Sequence, residues 1–373
     1  MGPAFAGLFF MLYIIYMHQG LKIEDLGYDG FFESKRKELG FGGFAVARVV
    51  SENRGSYEVV NEKARLLARI TGKRMFDASS REDYPAVGDW VSITDLGDGQ
   101  AVINGILPRK TVIKRKKGRG DRIEVQVIGT NIDVAFVVES LDSDYSLNRF
   151  ERYFAITEDQ GIKPVIVLNK TDLVSEEELG YIVSEIKERF EDTDVILTSA
   201  TDNRGIHELR SYIEKGKTYC FLGSSGVGKS SLINRLIGED SIKTADISGY
   251  SGKGRHTTTS REMYFLESGG IVIDNPGIRE VGIADAGLEE TFDEIIELGK
   301  GCKYNDCTHV SEPGCEVLRA VEEGRLDKNK YNNYINLKKE SDYYELSELE
   351  KREKERDFGK FVDRAKKDLK KYE

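Results

Sequence analysis

Proline is scarce in this chain, with 6 residues in 373, whereas glycine occurs 38 times. The scarcity argues against proline-rich linkers, and frequent glycine is typical of phosphate loops and tight turns. A positive net charge is also missing: the formal charge is −10, so any contact with nucleic acid must come from local basic patches. The sequence shows no internal repeat. Hydrophobic residues make up 39% and charged residues 32%, which indicates a soluble globular protein of two or three domains.

Long apolar runs are missing except for one at the start, from Pro3 to Met17. It is short for a membrane span of about 20 residues, and no basic residue precedes it as one would in a signal peptide. The segment from Met17 onward reads like the start of a cytosolic protein. We therefore expect residues 1–40 to be an N-terminal extension of a cytoplasmic protein that needs no membrane. For the apolar run, a mis-assigned start codon or a disordered segment is favoured over a functional anchor.

The pattern of hydrophobicity divides the rest of the chain into three parts. Residues 41–128 contain five short strand-like runs separated by Gly, Asn and Asp, which predicts a small barrel of the OB or cold-shock kind. Residues 129–296 alternate apolar strands with amphipathic helices, which predicts a mostly parallel α/β sheet with its ligand at the carboxyl ends of the strands. Residues 297–373 hold a Cys/His cluster and a helical tail dense in Lys and Glu.

A phosphate loop is indicated between a strand and a helix, from Gly223 to Ser230. Its glycines allow positive φ, so backbone N–H groups can surround phosphate oxygens. Lys229 is expected to bind the β- and γ-phosphates and to assist catalysis, and the Ser230 hydroxyl to bind Mg²⁺. The alternative is a plain glycine-rich turn. The residues expected to bind nucleotide here are Gly223, Ser224, Ser225, Gly226, Val227, Gly228, Lys229, Ser230 and Ser231.

A guanine-reading motif follows an earlier strand. A carboxylate at Asp172 can accept hydrogen bonds from guanine N1–H and N2–H₂, which adenine does not offer, and such sites reject analogues by roughly 10⁴-fold. On its own this motif is weak, but a second base-side element at Ser199 and Ala200 ends the next strand. The nucleotide-binding residues expected on this side are Asn169, Lys170, Thr171, Asp172, Ser199 and Ala200.

The order of these motifs is reversed relative to ordinary GTPases, because the base-reading motif lies about 50 residues before the phosphate loop. A doubly wound sheet tolerates such a circular permutation, since its termini and loops lie at the surface. The permutation places the loops that sense the γ-phosphate late in the chain, beside the C-terminal module.

The γ-phosphate side is expected to depend on two segments. Asp274 would hold Mg²⁺ and the Gly277 N–H would bind the γ-phosphate, but Ile278 occupies the place of the water-orienting Gln of Ras-like enzymes. In the Gly- and Ser-rich segment upstream, Thr258 is the candidate switch threonine that binds Mg²⁺, with its neighbouring threonines as near-equals. His256 is a candidate to orient or activate the attacking water. Its alternative is an ordinary exposed loop histidine.

The chain has only four cysteines, and three of them cluster with a histidine in a C-x₄-C-x-H-x₅-C pattern. Three thiolates and one imidazole complete a tetrahedral Zn²⁺ site and leave no position for substrate, so the predicted site is structural and holds one Zn²⁺. A chance cluster of free thiols is the alternative. The predicted ligands are Cys302, Cys307, His309 and Cys315.

A basic run crowds the end of the predicted barrel and contrasts with the acidic background. It is a candidate surface for binding the RNA backbone, and a solvated loop is the alternative. The candidate RNA-binding residues are Arg109, Lys110, Lys114, Arg115, Lys116, Lys117 and Arg119.

The whole pattern resembles the RsgA (YjeQ/YloQ) family of small-subunit-dependent GTPases. The matching stretches include VGDWV from Val87, ILPRKT from Ile106, SLNRFERY from Ser146, GSSGVGKSSLIN, GRHTTT, DNPGIRE and the metal spacing. The resemblance covers nearly everything from about Leu21 to the end of the Cys/His cluster. It implies an N-terminal OB barrel, a circularly permuted GTPase domain with GTP or GDP and Mg²⁺, and a zinc module. It also implies His256 as the catalytic group.

The same resemblance implies GTP hydrolysis that is stimulated by the 30S subunit and a role in late maturation of that subunit. The leading hypothesis is a monomeric protein whose GTP state governs docking on 16S rRNA and whose hydrolysis of GTP triggers release. A nucleotide-gated RNA-binding factor with incidental hydrolysis is a second hypothesis. A P-loop kinase or nucleotide hydrolase of metabolism is a third, against which the guanine motif and the barrel argue.

Overall fold

The computed structural model describes residues 22–53, 55–72, 80–117, 124–142, 145–238, 261–274 and 288–345. The apolar run at the start and the predicted site residues Arg119, His256, Thr258 and Gly277 lie outside these ranges, as does Ile278. No helix of the described residues is long and apolar enough to cross a membrane.

Five strands form a closed barrel, as the sequence predicts. Neighbours pair antiparallel except for β3 with β5, and β1 closes the barrel by pairing with both β2 and β4. Alternate residues of β3 and β5 point inward, so that Leu66, Ala68, Ala101 and Ile103 join the barrel core. The strands are β1 Ala45–Asn53, β2 Ser56–Val60, β3 Arg65–Ile70, β4 Trp90–Gly97 and β5 Gln100–Ile106.

Two features of this region differ from the sequence prediction. Part of the stretch assigned to an extension is folded: helix α1 (Gly30–Glu38) buries Phe32, which packs with Tyr28 against Trp90 at the barrel. The basic run is not part of the barrel either, because β6 (Val112–Lys117) and β7 (Glu124–Thr130) pair only with each other as a hairpin within the described chain.

The second half of the sheet carries the predicted α/β domain. The strand order is β10-β9-β8-β11-β13-β12, parallel throughout except for the last pair. Parallel strands covered by helices on both faces are apolar along their length, and every residue of β8 and β11 is buried. The strands are β8 Val134–Ser140, β9 Lys163–Asn169, β10 Val195–Leu197, β11 Thr218–Leu222, β12 Glu262–Phe265 and β13 Ile271–Asp274.

Helices connect these strands and continue into the C-terminal module. Four belong to the α/β domain: α2 Leu147–Glu158, α3 Glu176–Arg189, α4 Ile206–Ser211 and α5 Lys229–Ile237. In the described part of the chain, four follow β13: α6 Leu288–Thr291, α7 Asp293–Gly299, α8 Glu316–Glu322 and α9 Lys328–Glu345. The C-terminal helices share one core with α2, because Val317 and Tyr334 belong to the same buried cluster as Phe150 and Phe154.

The barrel and the α/β domain are joined through backbone and side chain. Strand β1 pairs with β12 at Ser51, so one sheet runs through both domains. The wholly buried Arg48 donates to the carbonyls of Leu26, Gly88 and Asn131 and to the Thr218 hydroxyl at 2.8 Å. Burial lowers the pKa of Arg48 to about 10. This one side chain donates to acceptors of four separate segments, so it fixes the barrel against the α/β domain, and its removal would withdraw a buried donor from each of them.

Candidate nucleotide site and metal centre

The phosphate loop lies where the sequence predicts it, between β11 and α5. Gly223, Gly226 and Gly228 all have positive φ, from 91° to 145°. A β-carbon on Gly223 would come within 2.3 Å of the Val138 carbonyl oxygen. The loop therefore has room only for glycine at this position, and it leads directly into the N-terminus of α5, where free N–H groups favour an anion.

Lys229 is held by the loop itself. It is buried, and its ammonium donates to the carbonyl oxygens of Gly223 at 2.8 Å and Ser224 at 2.7 Å. Burial lowers the pKa of Lys229 to about 8, although the nearby Asp274 and Glu139 act in the opposite direction. Two carbonyls are weak partners for a buried ammonium, so phosphate oxygens can take their place.

Asp274 lies at the carboxyl end of β13, close to Lys229. The carboxylate is buried, and neither of its oxygens has a hydrogen-bond partner among the described residues. Burial raises the pKa of Asp274 to about 6, with Lys229 partly offsetting it. An unsatisfied buried carboxylate is costly unless a cation or donor binds it, and with the Ser230 hydroxyl at the start of α5 it fits a Mg²⁺ site of oxygen ligands. Bound there, Mg²⁺ would neutralise phosphate charge.

The base-reading motif closes β9 and is tied to the phosphate loop. The Asn169 amide donates to the Val227 carbonyl at 2.8 Å, and its oxygen accepts from the Thr198 hydroxyl at 3.1 Å. Thr171 donates to the Thr198 carbonyl through both its N–H and its hydroxyl, each at 3.2 Å. The two base-side elements and the phosphate loop are therefore one hydrogen-bonded unit.

The remaining base-side residues are placed around this unit. Lys170 has a φ of 61° and forms an ion pair with Asp142 at 2.9 Å, while Asp172 is exposed and free to meet a base. The buried Ser199 hydroxyl accepts from the N–H of Thr201 at 3.3 Å, which shapes the loop after β10. Ala200, half-buried, accepts through its carbonyl from Arg235 at 3.1 Å.

Circular permutation is visible in the sheet. The chain passes through β8, β9 and β10 before it reaches the phosphate loop, yet β8 pairs directly with β11, the strand that precedes that loop. The carboxyl ends of β9 and β11 therefore lie on the same edge of the sheet despite their reversed order. Ligands of open α/β sheets bind at this edge.

The Cys/His cluster has the dimensions of a zinc site. Its four ligand atoms lie within 4.8 Å of one another. The His309 Nδ1 atom is 3.6 Å from the Cys302 sulfur and 3.5 Å from the Cys315 sulfur, and these two sulfurs are 3.8 Å apart. A tetrahedron with Zn–S of ~2.3 Å and Zn–N of ~2.0 Å has edges of about 3.8 Å between sulfurs and about 3.5 Å between sulfur and nitrogen.

The surrounding chain supports this arrangement. Cys302, Cys307 and His309 lie in the loop between α7 and α8, and the Cys315 sulfur accepts the N–H of Leu318 at 3.4 Å as the N-cap of α8. Tyr331 on α9 donates to the His309 carbonyl at 2.8 Å. The four residues fit one structural Zn²⁺ that would fix this loop to the helices.

The basic run has a mixed structural role. Arg109 donates to both carboxylate oxygens of the buried Asp89, at 2.8 and 2.7 Å, and to the Glu82 and Tyr84 carbonyls at 3.0 Å. Its guanidinium is committed to the fold, so Arg109 is a poor candidate for an RNA contact. By contrast, Lys110 forms an ion pair with Asp29 and Lys114 forms one with Glu82, but both lysine side chains remain partly exposed. Arg115, Lys116 and Lys117 lie along β6.

Sequence reasoning missed two charged residues beside the phosphate loop. Glu139 at the end of β8 is wholly buried, and Arg149 on α2 forms an ion pair with it at 3.0 Å. Arg149 also donates to the Ser224 hydroxyl at 3.4 Å. A charged residue at the end of an otherwise apolar strand was the available signal, but its partner on α2 could not be inferred without the packing.

Known proteins resemble this chain over most of its length. A family model described as RsgA GTPase matches residues 106–284. A Lactiplantibacillus plantarum protein named small ribosomal subunit biogenesis GTPase RsgA 2 is 41% identical over 319 residues, which cover 85% of this chain and 90% of that protein. A Bacteroides thetaiotaomicron protein named small ribosomal subunit biogenesis GTPase RsgA 1 is 41% identical over 324 residues, covering 86% and 90% respectively.

Solved structures share the architecture. The crystal structure of YjeQ from Thermotoga maritima is 29% identical with a TM-score of 0.57 and covers 79% of this chain and 98% of its own. The structure of YloQ, described as a circularly permuted GTPase, is 25% identical with a TM-score of 0.56 and covers 82% and 97%. A barrel, a permuted sheet carrying a phosphate loop, and a C-terminal Cys₃His cluster thus occur together in a chain that belongs to the RsgA family of GTPases.

Proposed function

We propose that this protein is a GTP-driven switch that binds the small (30S) ribosomal subunit, assists its late maturation, and leaves it when GTP is hydrolysed to GDP and phosphate. The observation that carries this proposal is the phosphate site, where the buried Lys229 and the unsatisfied Asp274 interact electrostatically beside a base-reading motif. The names of the relatives support the choice of partner. We propose a monomeric cytoplasmic protein that contacts 16S rRNA.

The nucleotide contacts we propose follow from the placement of the motifs. The loop from Gly223 to Ser231 would surround the phosphates, and Asp172 would read guanine with support from the other base-side residues, Asn169, Lys170, Thr171, Ser199 and Ala200. Ser230 and Asp274 would hold Mg²⁺ together with Thr258, and the Gly277 N–H would bind the γ-phosphate. Thr258 and Gly277 enter on sequence grounds alone, since they lie outside the described residues.

For hydrolysis we propose His256, again on sequence grounds. Ile278 cannot orient water, so the isolated protein should turn over GTP slowly, as unassisted switch GTPases do. Binding to the subunit would bring His256 within reach of the attacking water. His256→Ala should then remove most of the subunit-stimulated rate, while affinity for GTP and for the subunit persists. Equal stimulated rates for wild type and variant would assign the catalytic group elsewhere.

The direct test compares GTP turnover with and without purified 30S subunits, with 50S subunits as the matched control. We expect the 30S subunit alone to raise kcat substantially, and Lys229→Ala to abolish turnover in every condition. A rate indifferent to 30S would favour the second hypothesis, a nucleotide-gated RNA-binding factor in which hydrolysis is incidental.

A further inference from the structure

The Ser224 side chain is where helix α2 meets the phosphate loop. The Arg149 guanidinium lies 3.4 Å from the Ser224 hydroxyl oxygen and donates to it. Tyr153, one turn further along α2, shares a hydrogen bond with the same hydroxyl. Residues four apart project from one side of a helix. Two residues on one side of α2 therefore contact Ser224, the second residue of the phosphate loop.

The Ser224 main chain is bound to Lys229, because its carbonyl accepts the Lys229 ammonium at 2.7 Å. This ammonium must leave that carbonyl to reach the phosphates of a nucleotide. A shift of Ser224 therefore changes how easily Lys229 is released.

Arg149 also neutralises a buried negative charge. Its guanidinium lies 3.0 Å from the carboxylate of Glu139, which is wholly buried, and Glu139 interacts electrostatically with Lys229. Without Arg149, that carboxylate would attract the Lys229 ammonium and repel phosphate. Arg149 thus neutralises a carboxylate that would otherwise compete with the phosphates for Lys229.

The neighbouring side of α2 is fixed to the C-terminal helix α9. Arg152 forms a two-point ion pair with Glu340, at 3.2 and 2.9 Å. Asn333 donates to the Asn148 carbonyl at 3.3 Å and to the buried Glu151 carboxylate. Glu340 and Asn333 both lie on α9. The Tyr331 hydroxyl of the same helix donates to the His309 carbonyl of the Cys/His cluster.

We propose that Arg149 is a positioning residue for the phosphate loop and that α2 transmits the position of the C-terminal module to it. A packed helix moves as a body, by shifts of about 1–2 Å in switching proteins. Movement of α9 would move Arg149 and Tyr153, and with them Ser224 and Lys229. By reciprocity, a bound nucleotide alters the position of the module. This inference rests on the proposed function, since it supplies a route by which nucleotide state reaches the C-terminal module.

A double-mutant cycle on nucleotide affinity tests this route, with fluorescent GDP and the full-length protein without ribosomes. Arg149→Gln should raise the Kd for GDP by roughly tenfold, within the 5–150-fold range of allosteric couplings, and Arg149→Lys should recover part of the loss. Glu340→Gln, distant from the nucleotide, should raise the Kd by several-fold. The double variant should raise the Kd by less than the product of the two single effects, because part of the route from the module to the loop runs through Arg149.

Arg325→Gln is the matched control. It breaks ion pairs within the module, with Glu316 and Glu323, and does not touch α2, so its Kd for GDP should equal that of wild type. Zinc content and melting temperature identify any variant that fails to fold. The proposal is overturned if Glu340→Gln binds GDP as tightly as Arg325→Gln does, or if its effect multiplies with that of Arg149→Gln. Since no ribosome takes part, failure of 30S stimulation would leave this result unaffected.

Discussion

Gly228 lies where the phosphate loop packs against the guanine motif, and its substitution measures how strongly the two are joined. A β-carbon on Gly228 would lie 2.2 Å from the Asn169 amide nitrogen. That nitrogen donates to the Val227 carbonyl inside the protein. Gly228→Ala must therefore displace Asn169 and break this bond. Gly226→Ala is the matched control, because Gly226 also has positive φ but a β-carbon there would meet no atom within 4 Å.

The two variants should differ in stability by the cost of the displaced bond. Forcing an L-residue into positive φ costs about 1–2 kcal/mol in both. Gly228→Ala additionally loses a buried hydrogen bond, and leaving its partners unsatisfied costs about 1–3 kcal/mol. For a domain of this size each kcal/mol lowers the melting temperature by roughly 2–4 °C.

Thermal unfolding of the nucleotide-free proteins checks this difference. Gly228→Ala should melt below Gly226→Ala, and both below wild type. The base-reading side should also be disturbed only by Gly228→Ala, which would then discriminate less well between GDP and ADP. Equal melting temperatures for the two variants, with unchanged discrimination in both, would refute the claim that the loop and the base motif form one unit.

The other predictions concern the base, the metal and the pH dependence of nucleotide binding. Asp172→Asn should exchange the preference for GTP over XTP, because an amide presents a donor where the carboxylate accepted; unchanged selectivity in competition binding would reject the assignment. Purified protein should carry about one Zn²⁺ per chain, and Cys307→Ser should lose it while GDP binding persists; metal-free wild type by elemental analysis would reject the site. Burial lowers the pKa of Lys229 to about 8. Above that pH the Lys229 amine is mostly neutral and must take up a proton when nucleotide binds, so the affinity for GDP should fall about tenfold between pH 7 and 9. Lys229→Met should lack this dependence, and a flat profile in wild type would contradict the pKa.

The elements that the sequence predicted well are those with a local physical cause. The barrel strands were recognisable because half of their residues face a core, as in β3 with its alternation of exposed and buried positions. The phosphate loop was recognisable because positive φ at Gly223, Gly226 and Gly228 restricts those positions to glycine. The metal spacing is local in the same way. Three ligands in one loop and one helix cap need no long-range packing to be recognised.

The features that were missed depend on contacts between distant segments. Helix α1 has few apolar residues, and its place in the core depends on Tyr28 and Phe32 meeting Trp90. Arg109 reads as one cation in a basic run, but its ion pair with Asp89 at 2.7 Å makes it structural. Two contacts connect the phosphate loop through α2 to α9. Arg149 and Ser224 are 75 positions apart in the sequence, and Arg152 and Glu340 are 188 positions apart. The hydrophobic periodicity of a sequence does not indicate which distant residues pair with each other.

The central claim, that nucleotide state governs binding to the small subunit, is tested most directly by cosedimentation with purified 30S subunits. The protein should sediment with 30S in the presence of a non-hydrolysable GTP analogue and remain in the supernatant with GDP. With GTP itself it should sediment at first and dissociate as phosphate is released, whereas Lys229→Ala should show no difference between nucleotides. Equal retention of the wild-type protein with the GTP analogue and with GDP would contradict the account.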